Sequence, residues 1–368
     1  MSVFKVETRK ISKICQHSNA DKLDIAQIDG TLFQCVVQKN LYKTGDIIVY
    51  FPIDSILPDE LIEQQCIRNY LAGKDKNRVR TVILRGEISQ GYIAPIESIK
   101  TYLKQECIQD DLTEVLGVIK YEPPEIKISC GNLISKPEFV YTYDIEGCDR
   151  FPDILSKLMN EFVFITEKIE GTNFWASIDA NKKISIGQRN FAIENLENKP
   201  EHSFWQVARR EGVIDALEKI SSIYHQSNIT IRGELAGPGI QGNYYKLKKL
   251  KLFIFDIEVN KKVFSFNELQ LLLKDINLLN SFVPILAQNI LLNDWFNGKT
   301  IQQMSNGISV INPKGIKEDL LEFETQKNDK PRLREGIVIK PMQEQYVFGF
   351  GRLFLKQRDP IYLDKTGF

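Results

Sequence analysis

The sequence predicts an α+β protein in two parts, a small closed β-barrel followed by a larger domain of antiparallel sheet and helices. Three observations predict it. At 368 residues and 42.4 kDa the chain is too long for one ordinary core and long enough for two domains. From Lys10 to Pro95 it is a string of short β-rich runs broken by turn residues. Beyond Phe139, strands in runs joined by hairpin-like turns alternate with amphipathic helices, the pattern of an antiparallel α+β domain rather than a doubly wound parallel sheet.

Five runs read as the barrel strands: Asp24 to Ile28, Phe33 to Val37, Asp46 to Phe51, Val79 to Leu84 and Gly91 to Ala94. Asp29-Gly30, Thr44-Gly45 and Arg85-Gly86 supply turns between them, and five short strands so punctuated suggest an OB-type barrel over residues 1–120. The segment His17 to Leu23, HSNADKL, resembles the opening of tRNA-binding OB modules and reads equally as a surface Asx-turn. Residues 121–138 read as a linker, because Pro123-Pro124 hold the chain extended and cannot enter a helix.

The second domain, 139–368, is expected to carry strands at Phe162 to Ile165, Thr172 to Ile178, Lys183 to Gln188, Asn228 to Leu235, Leu250 to Glu258, Gly336 to Ile339 and Arg352 to Leu355. Phe204, Val207, Ala208, Leu217 and Ile220 share a face of one helix over His202 to Ile223, and Ser265-x-x-Glu268 is a capping box opening the next.

Composition excludes several classes. Hydrophobic residues at 43% and charged residues at 26% are those of a soluble globular protein. The longest apolar candidate, Glu268 to Leu279, contains Glu268, Lys274 and Asp275, so no membrane span is expected. The N-terminus lacks the apolar stretch of a secretory signal, which points to an intracellular location. Forty-eight basic against 48 acidic residues remove the bulk charge of a nucleic-acid coat protein and leave room for a local basic surface. The six cysteines (Cys15, Cys35, Cys66, Cys107, Cys130, Cys148) form no C-x-x-C pair, and with three histidines they imply buried thiols rather than a zinc site.

Lys168-Ile169-Glu170-Gly171 is a K-x-x-G element at a strand end. Alone it means little, since 48 basic residues and 22 glycines in 368 positions give about three such matches by chance. Its company changes the odds. TEKIEGTNF (Thr166 to Phe174) is followed in order by Gln188-Arg189-Asn190, RGELAG (Arg232 to Gly237), FIFDI (Phe253 to Ile257), REGIVIKP (Arg334 to Pro341) and LKQR (Leu355 to Arg358). This series resembles the covalent nucleotidyltransferases, and among them the RNA ligases. The N-terminal HSNADKLDIA, GDIIVYFPIDSILP and RVRTVILRGEISQG are similar to the OB-type domain that precedes the catalytic domain in the fifth RNA ligase family, and the resemblance runs from about Ile11 to Leu363.

The residue types suit that chemistry. An amine attacking the α-phosphorus of ATP must be unprotonated, which a Lys achieves beside other cations and a divalent metal, so Lys168 is the candidate nucleophile. Phosphoryl transfer is otherwise positioning and charge neutralisation. Lys356, Lys340 and Arg189 supply cations, and Glu234 and Glu335 are hard oxygen ligands for Mg²⁺ or Mn²⁺. The resemblance implies that Lys168 takes AMP, that Glu167 lies at the adenine end, and that Asn173 and Arg189 serve the phosphate or the later steps. It further implies Glu234 at the ribose or metal-bound water, Phe255 at the adenine, Asp256 ordering its surroundings, Glu335 at the metal and Lys356 at the α-phosphate. Glu170 stands where Asp or His is common and is a candidate for metal-bound water. Arg358 stands where a second Lys is usual, which keeps the charge but not the point-like geometry.

Alone, Phe255 on an apolar strand reads as core, and Arg189 and Lys340 read equally as solvated strand-end charges. Lys246, Lys248 and Lys249, beside Tyr244 and Tyr245 in a stretch without acids, read as a nucleic-acid contact or a solvated loop. The expected activity is an ATP-dependent RNA ligase sealing nicks whose 3′-hydroxyl strand is RNA, in RNA repair, with RNA or an RNA-containing nicked duplex as partner and no protein partner implied. A capping guanylyltransferase or DNA ligase usually carries a C-terminal OB domain, whereas only 12 residues follow Lys356 here. An inert nucleic-acid-binding protein is the remaining alternative.

Overall fold

The computed structural model describes residues 4–104, 110–121, 133–195, 201–225, 227–311 and 332–366. Most of the expected linker (122–132), and Cys107 and Cys130, lie outside them. The chain groups into two compact units: Met1–Pro124 with Glu146–Ser156 and Gln357–Phe368, and Glu125–Ile145 with Lys157–Lys356.

In the first unit, strands β1 (Glu7–Gln16), β2 (Leu23–Ile28), β3 (Gln34–Gln38) and β4 (Ile47–Phe51) are followed by the hairpin β5 (Thr81–Leu84) and β6 (Glu87–Gln90), then by β7 (Tyr92–Pro95). The antiparallel order is β3-β2-β1-β4-β7. A bulge between Ile11 and Lys13 lets β1 pair with β2 through one half and with β4 through the other, which curls the sheet. Side chains join β6 to β3 and nearly close the barrel: Gln34 Nε2 donates to the Ile88 carbonyl at 2.9 Å, and the Val36 N–H donates to Ser89 Oγ at 3.0 Å. Ile11, Ile28, Cys35, Ile48 and Tyr50 fill the interior. Val49 and Phe51, alternate residues of β4, form a second core with Leu61 and Ile62 of α1 (Asp59–Gln65) and Ile99 of α2 (Ile96–Leu103). Burial on both faces explains why β4 is a continuous apolar run.

The five expected barrel strands are present within two residues at each end. Two others are less apolar: β1, whose sequence alternates charged and apolar residues, and β6. The HSNADKL segment is a clasp onto the β5–β6 turn. His17 Nδ1 accepts the Asn19 N–H at 3.0 Å, so Nε2 bears the proton and donates to the Leu84 carbonyl at 3.0 Å, while Asn19 Nδ2 donates to the Arg85 carbonyl at 3.1 Å.

The second unit is antiparallel α+β, as expected. Of strands β8 (Leu133–Ser135), β9 (Phe162–Lys168), β10 (Thr172–Ile178), β11 (Ile184–Gln188), β12 (Phe191–Ile193), β13 (Ile229–Ala236), β14 (Lys251–Val259) and β15 (Lys262–Val263), all but β9 form a seven-stranded sheet in the order β8-β12-β11-β10-β13-β14-β15. β9 belongs to another sheet, between β16 (Ile285–Leu291) and β17 (Gly336–Pro341), with β18 (Leu355–Arg358) beside β17. The single helix expected over His202 to Ile223 is instead two, α3 (Ser203–Arg210) and α4 (Val213–Ile223). Gly212 at φ 76° turns the chain between them, a left-handed conformation glycine adopts without strain. The capping box opens α5 (Phe266–Asp275), with the Ser265 N–H donating to Glu268 Oε2 at 2.9 Å.

Alternation sorts the large sheet into two faces. Phe174, Ala176 and Ile178 of β10 and Ile229, Ile231 and Leu235 of β13 share one core with residues of α3, α4 and α5. Asn173, Trp175, Arg232 and Glu234 lie on the opposite face, paired Asn173 with Glu234 and Trp175 with Arg232. Among the described residues no helix is long and apolar enough to cross a membrane.

Candidate active site

Strand pairing assembles the site's centre. Lys168, last residue of β9, is register partner of Gly336, so Glu335 arrives beside it just before β17 begins. Lys168 Nζ and Glu335 Oε1 are 2.7 Å apart. The chain then turns through Glu170 and Gly171 into β10, close against β13. A Cβ on Gly171 would lie 2.5 Å from the Leu235 carbonyl oxygen and 2.8 Å from Glu234 Cγ. The glycine of K-x-x-G is therefore what lets Glu234 approach the turn after Lys168. Burial pushes the Glu234 carboxyl up to about 8, with Lys168 pulling down and the Glu335 carboxylate pushing up. Glu170 is buried, and its N–H donates to the Tyr245 hydroxyl at 2.7 Å.

Glu167, the residue before Lys168 on β9, is buried. Ser309 Oγ donates to its Oε1 and the Val310 N–H to its Oε2 at 2.8 Å. Burial raises this carboxyl to about 7 against those two bonds and the charge of Arg334. Its own N–H donates to the Pro284 carbonyl at 2.9 Å.

Phe255 is the extra residue of a β-bulge: Arg232 pairs with Asp256 and Gly233 with Ile254, so Phe255 has no partner on β13. A bulge re-aims a side chain, and Phe255 is only partly buried where its apolar strand alone suggested core. Beneath it lies an ion cluster. Asp256 Oδ1 accepts from Lys340 Nζ at 2.8 Å, and its Oδ2 accepts from Arg352 Nη1 at 3.0 Å and from the Tyr143 hydroxyl at 2.5 Å. Despite burial, the two cations hold the Asp256 carboxyl below the usual carboxylate range. Lys340 also donates to the Phe255 carbonyl at 3.1 Å and sits among the rings of Phe164, Phe255 and Phe354. The structure thus places Lys340 behind Phe255, bound to Asp256. Arg352 is paired with Glu344 at 2.6 Å, and Arg232 with Glu258 at 2.6 Å.

The remaining expected residues spread outward. Arg189, half-exposed in the turn between β11 and β12, has its Nη2 2.7 Å from Asp144 Oδ1. Lys356 lies on β18 beside β17, and Arg358 belongs to the other unit. Lys246, Lys248 and Lys249 are exposed, whereas Tyr245, bonded to the turn after Lys168, is buried, and the Tyr244 hydroxyl donates to the Leu333 carbonyl at 2.8 Å. Both tyrosines brace the loop internally. Sequence reasoning missed Tyr143, Arg232, Glu258, Ser309 and Arg352. Only Arg232, two residues before Glu234 on the same strand face, carried a signal in its position.

Among the described residues no group of three or more His, Cys, Asp or Glu side chains converges as a ready metal cage. Glu234 and Glu335, two carboxylates that both meet Lys168, fit a different kind of site. A magnesium-like cation is commonly held by one or two carboxylates and completes its shell with water and substrate phosphate.

Residues 161–357 match the profile of the RNA ligase family, and residues 5–96 match an OB-fold domain. Among solved structures, a mutant Naegleria gruberi RNA ligase with AMP and Mn is similar at TM-score 0.75 and 25% identity, over 98% of each chain. A mutant of the same ligase with ATP and Mn gives 0.75 and 26%, over 100% of this chain and 99% of that one. Another, also with ATP and Mn, gives 0.76 and 26%, over 98% of each. No curated protein sequence matches the chain.

Proposed function

This chain belongs to the RNA ligase family, and from that premise we propose that it is an ATP-dependent enzyme joining RNA ends in three steps through Lys168. In the first, the Lys168 amine attacks the α-phosphorus of ATP, an N–P bond forms, and pyrophosphate leaves. In the second, a 5′-phosphate oxygen takes the AMP from Lys168 and the amine is restored. In the third, a 3′-hydroxyl attacks the adenylylated phosphorus, the phosphodiester forms, and AMP departs. The Lys168–Glu335 pair, 2.7 Å apart, holds the side chain at the strand end where the α-phosphorus would arrive.

The observation that carries this reading is the meeting of Lys168, Glu335 and Glu234 at the strand ends. Glu234 and Glu335 would hold Mg²⁺ or Mn²⁺, whose contribution is to neutralise charge on the phosphate oxygens. Phe255, lifted from its strand by the bulge, offers a ring to the base, with Asp256 and Lys340 fixing it from behind. Glu167 bounds the same end, Asn173 stands opposite Glu234, and Lys356 adds a cation for the α-phosphate. Glu170 and Arg358 stand at their motif positions as substitutes. Lys246, Lys248 and Lys249 are assigned to the RNA backbone, as is the barrel unit, and the location to the cell interior.

The decisive experiment is a mass increase of one AMP on Lys168 after incubation with ATP and metal. Lys168→Ala should lose AMP uptake and the sealing of phosphorylated ends while still joining a pre-adenylylated end, which needs no enzyme nucleophile. Undiminished labelling of that variant removes Lys168 from the reaction.

The substrate we assign is a nick whose 3′-hydroxyl strand is RNA, as RNA repair requires. A-form sugar pucker sets where the 3′-oxygen stands, and a displacement of about 1 Å can lower the rate on the order of a hundredfold. Sealing is to be compared on four nicked duplexes differing only in the sugars flanking the break. RNA on the 3′-hydroxyl side should be much faster, and equal rates on all four reject the preference.

A further inference from the structure

A second cationic site lies on the sheet face that carries Glu234, apart from Lys168. At the sheet edge β8 pairs with β12, Ser135 with Phe191, and this brings Lys136 to the Arg189 turn. Lys136 Nζ donates to the Arg189 carbonyl at 3.2 Å and to Thr142 Oγ1, and the Thr142 hydroxyl donates to the same carbonyl at 3.0 Å. Between them Val140 packs on Trp175 and Ala192, so the segment is seated on the face and does not merely pass over it. Trp175 and its partner Arg232 are one alternation, about 6–7 Å along the strands, from Asn173 and Glu234.

The charges in this cluster do not balance. Arg189 is matched by Asp144, and Arg232 by Glu258. Among the described residues Lys136 meets only neutral acceptors, Thr142 Oγ1 and the Arg189 carbonyl. Burial, then Arg232 and Arg189, hold its ammonium below the ordinary lysine range. Of the Arg189 side-chain donors only Nη2 is engaged within the described protein, which leaves Nε and Nη1 to bind from solvent. A partly buried ammonium with one donor to spare, beside a guanidinium with spare donors, is built to receive an anion that presents several oxygens.

We propose that Lys136 joins Arg189 in binding the terminal 5′-phosphate of the RNA strand, with Asp144 as a positioning residue that aims the Arg189 guanidinium. The inference rests on the ligase reading and deepens it. A nucleotide reacting at Lys168 has its α-phosphorus at the Lys168–Glu335–Glu234 group. The phosphate that next takes the AMP must reach that group, and Lys136 and Arg189 stand on the sheet face that carries Glu234. A 5′-phosphate monoester carries nearly two negative charges at neutral pH and suits one uncompensated ammonium and the free edge of a guanidinium.

The test uses the full chain. Wild type, Lys136→Ala, Lys136→Arg and Asp144→Asn are each measured for self-adenylylation with ATP. After removal of ATP, the adenylylated enzymes are mixed with a 5′-phosphorylated nicked RNA duplex, and formation of the adenylylated RNA end is followed in a single turnover. For Lys136→Ala the transfer rate should fall about tenfold or more beyond any fall in self-adenylylation. Lys136→Arg should recover most of it, and Asp144→Asn should weaken the preference for a 5′-phosphate over a 5′-hydroxyl duplex in binding. An equal deficit in both steps would assign the cluster to ATP, and no deficit in either would make it a solvated surface; both overturn the inference while the ligase reading stands. Failure of the wild type to take up AMP overturns the ligase reading and this inference with it.

Discussion

The hydroxyl of Tyr245 accepts the backbone N–H of Glu170 at 2.7 Å, so the loop between β13 and β14 grips the turn that follows Lys168. Tyr245 is 1% exposed, and no water can replace its hydroxyl without repacking. The loop carrying the exposed lysines Lys246, Lys248 and Lys249 is thereby tied to the position of Lys168.

Removing that hydroxyl should be felt in both stability and chemistry. Tyr245→Phe leaves the buried Glu170 N–H without its acceptor, a loss of about 1–3 kcal/mol. Denaturant unfolding should show a lowered midpoint with an unchanged slope, and self-adenylylation should slow because the turn after Lys168 is looser. A variant with wild-type stability and rate would mean the bond does not position the turn.

Asp256 and Phe255 are adjacent in sequence and should behave oppositely. Asp256→Asn strips the charge shared by Lys340 and Arg352 and leaves buried cations with a neutral neighbour, which costs about 3–5 kcal/mol when one partner of a buried pair is lost. We expect a poorly folded second unit. Phe255→Ala removes a partly exposed ring from a bulge and should leave the fold intact while raising the KM for ATP. Circular dichroism on both variants and ATP titration of self-adenylylation on the second check this; an unchanged KM would remove Phe255 from the nucleotide site.

How much of this was legible beforehand follows from the kind of signal each residue carries. Lys168, Glu234, Asp256 and Glu335 stood out because short motifs fix residues against their strand neighbours, and pairing such as Lys168 with Gly336 turns sequence motifs into spatial contacts. The two-unit plan and most strands were readable from alternation and turns. β1 was not, because a strand that bulges and pairs on both sides buries few of its side chains. The break at Gly212 is a single residue within a continuous apolar periodicity. Ser309 meets Glu167, and Tyr143 and Arg352 meet Asp256, only across long sequence separations, so no local pattern announces them. The burial of Lys340 was equally hidden: a lysine looks the same in sequence whether it meets a phosphate or an aspartate.

Glu167 gives a pH signature. Its folded value is about 7 against 4.5 for the ordinary group, so the folded state binds a proton that the unfolded chain has released between those values. The stability it contributes is fully present below about 4.5, falls as pH rises, and is gone above about 7. In Glu167→Gln the amide can accept from the Val310 N–H and donate to Ser309 Oγ without titrating. Urea midpoints of the nucleotide-free proteins should therefore nearly coincide at low pH and separate toward pH 8, with the glutamine variant the more stable. A constant gap across the range would show that this carboxyl keeps an ordinary value in the folded protein.

Gly171 offers the sharpest test of the site's geometry because its demand is steric and independent of charge. A methyl there would stand 2.5 Å from the Leu235 carbonyl oxygen and 2.8 Å from Glu234 Cγ, distances at which backbone or carboxylate must move. β10 and β13 are paired through seven consecutive residues, from Thr172 with Leu235 to Ile178 with Ile229, so the sheet resists and the displacement falls on the turn and on Glu234. A shift of about 1 Å between reacting groups can lower a rate on the order of a hundredfold. Gly171→Ala should thus remain folded with a modestly reduced melting temperature while self-adenylylation falls by about that factor. Gly147 has no atom within 4 Å of its notional Cβ, and Gly147→Ala, as the control, should keep both its rate and its melting temperature. Wild-type adenylylation by Gly171→Ala would show that the approach of Glu234 to the nucleophile's turn is not required for AMP transfer, and would move the metal-holding role away from Glu234.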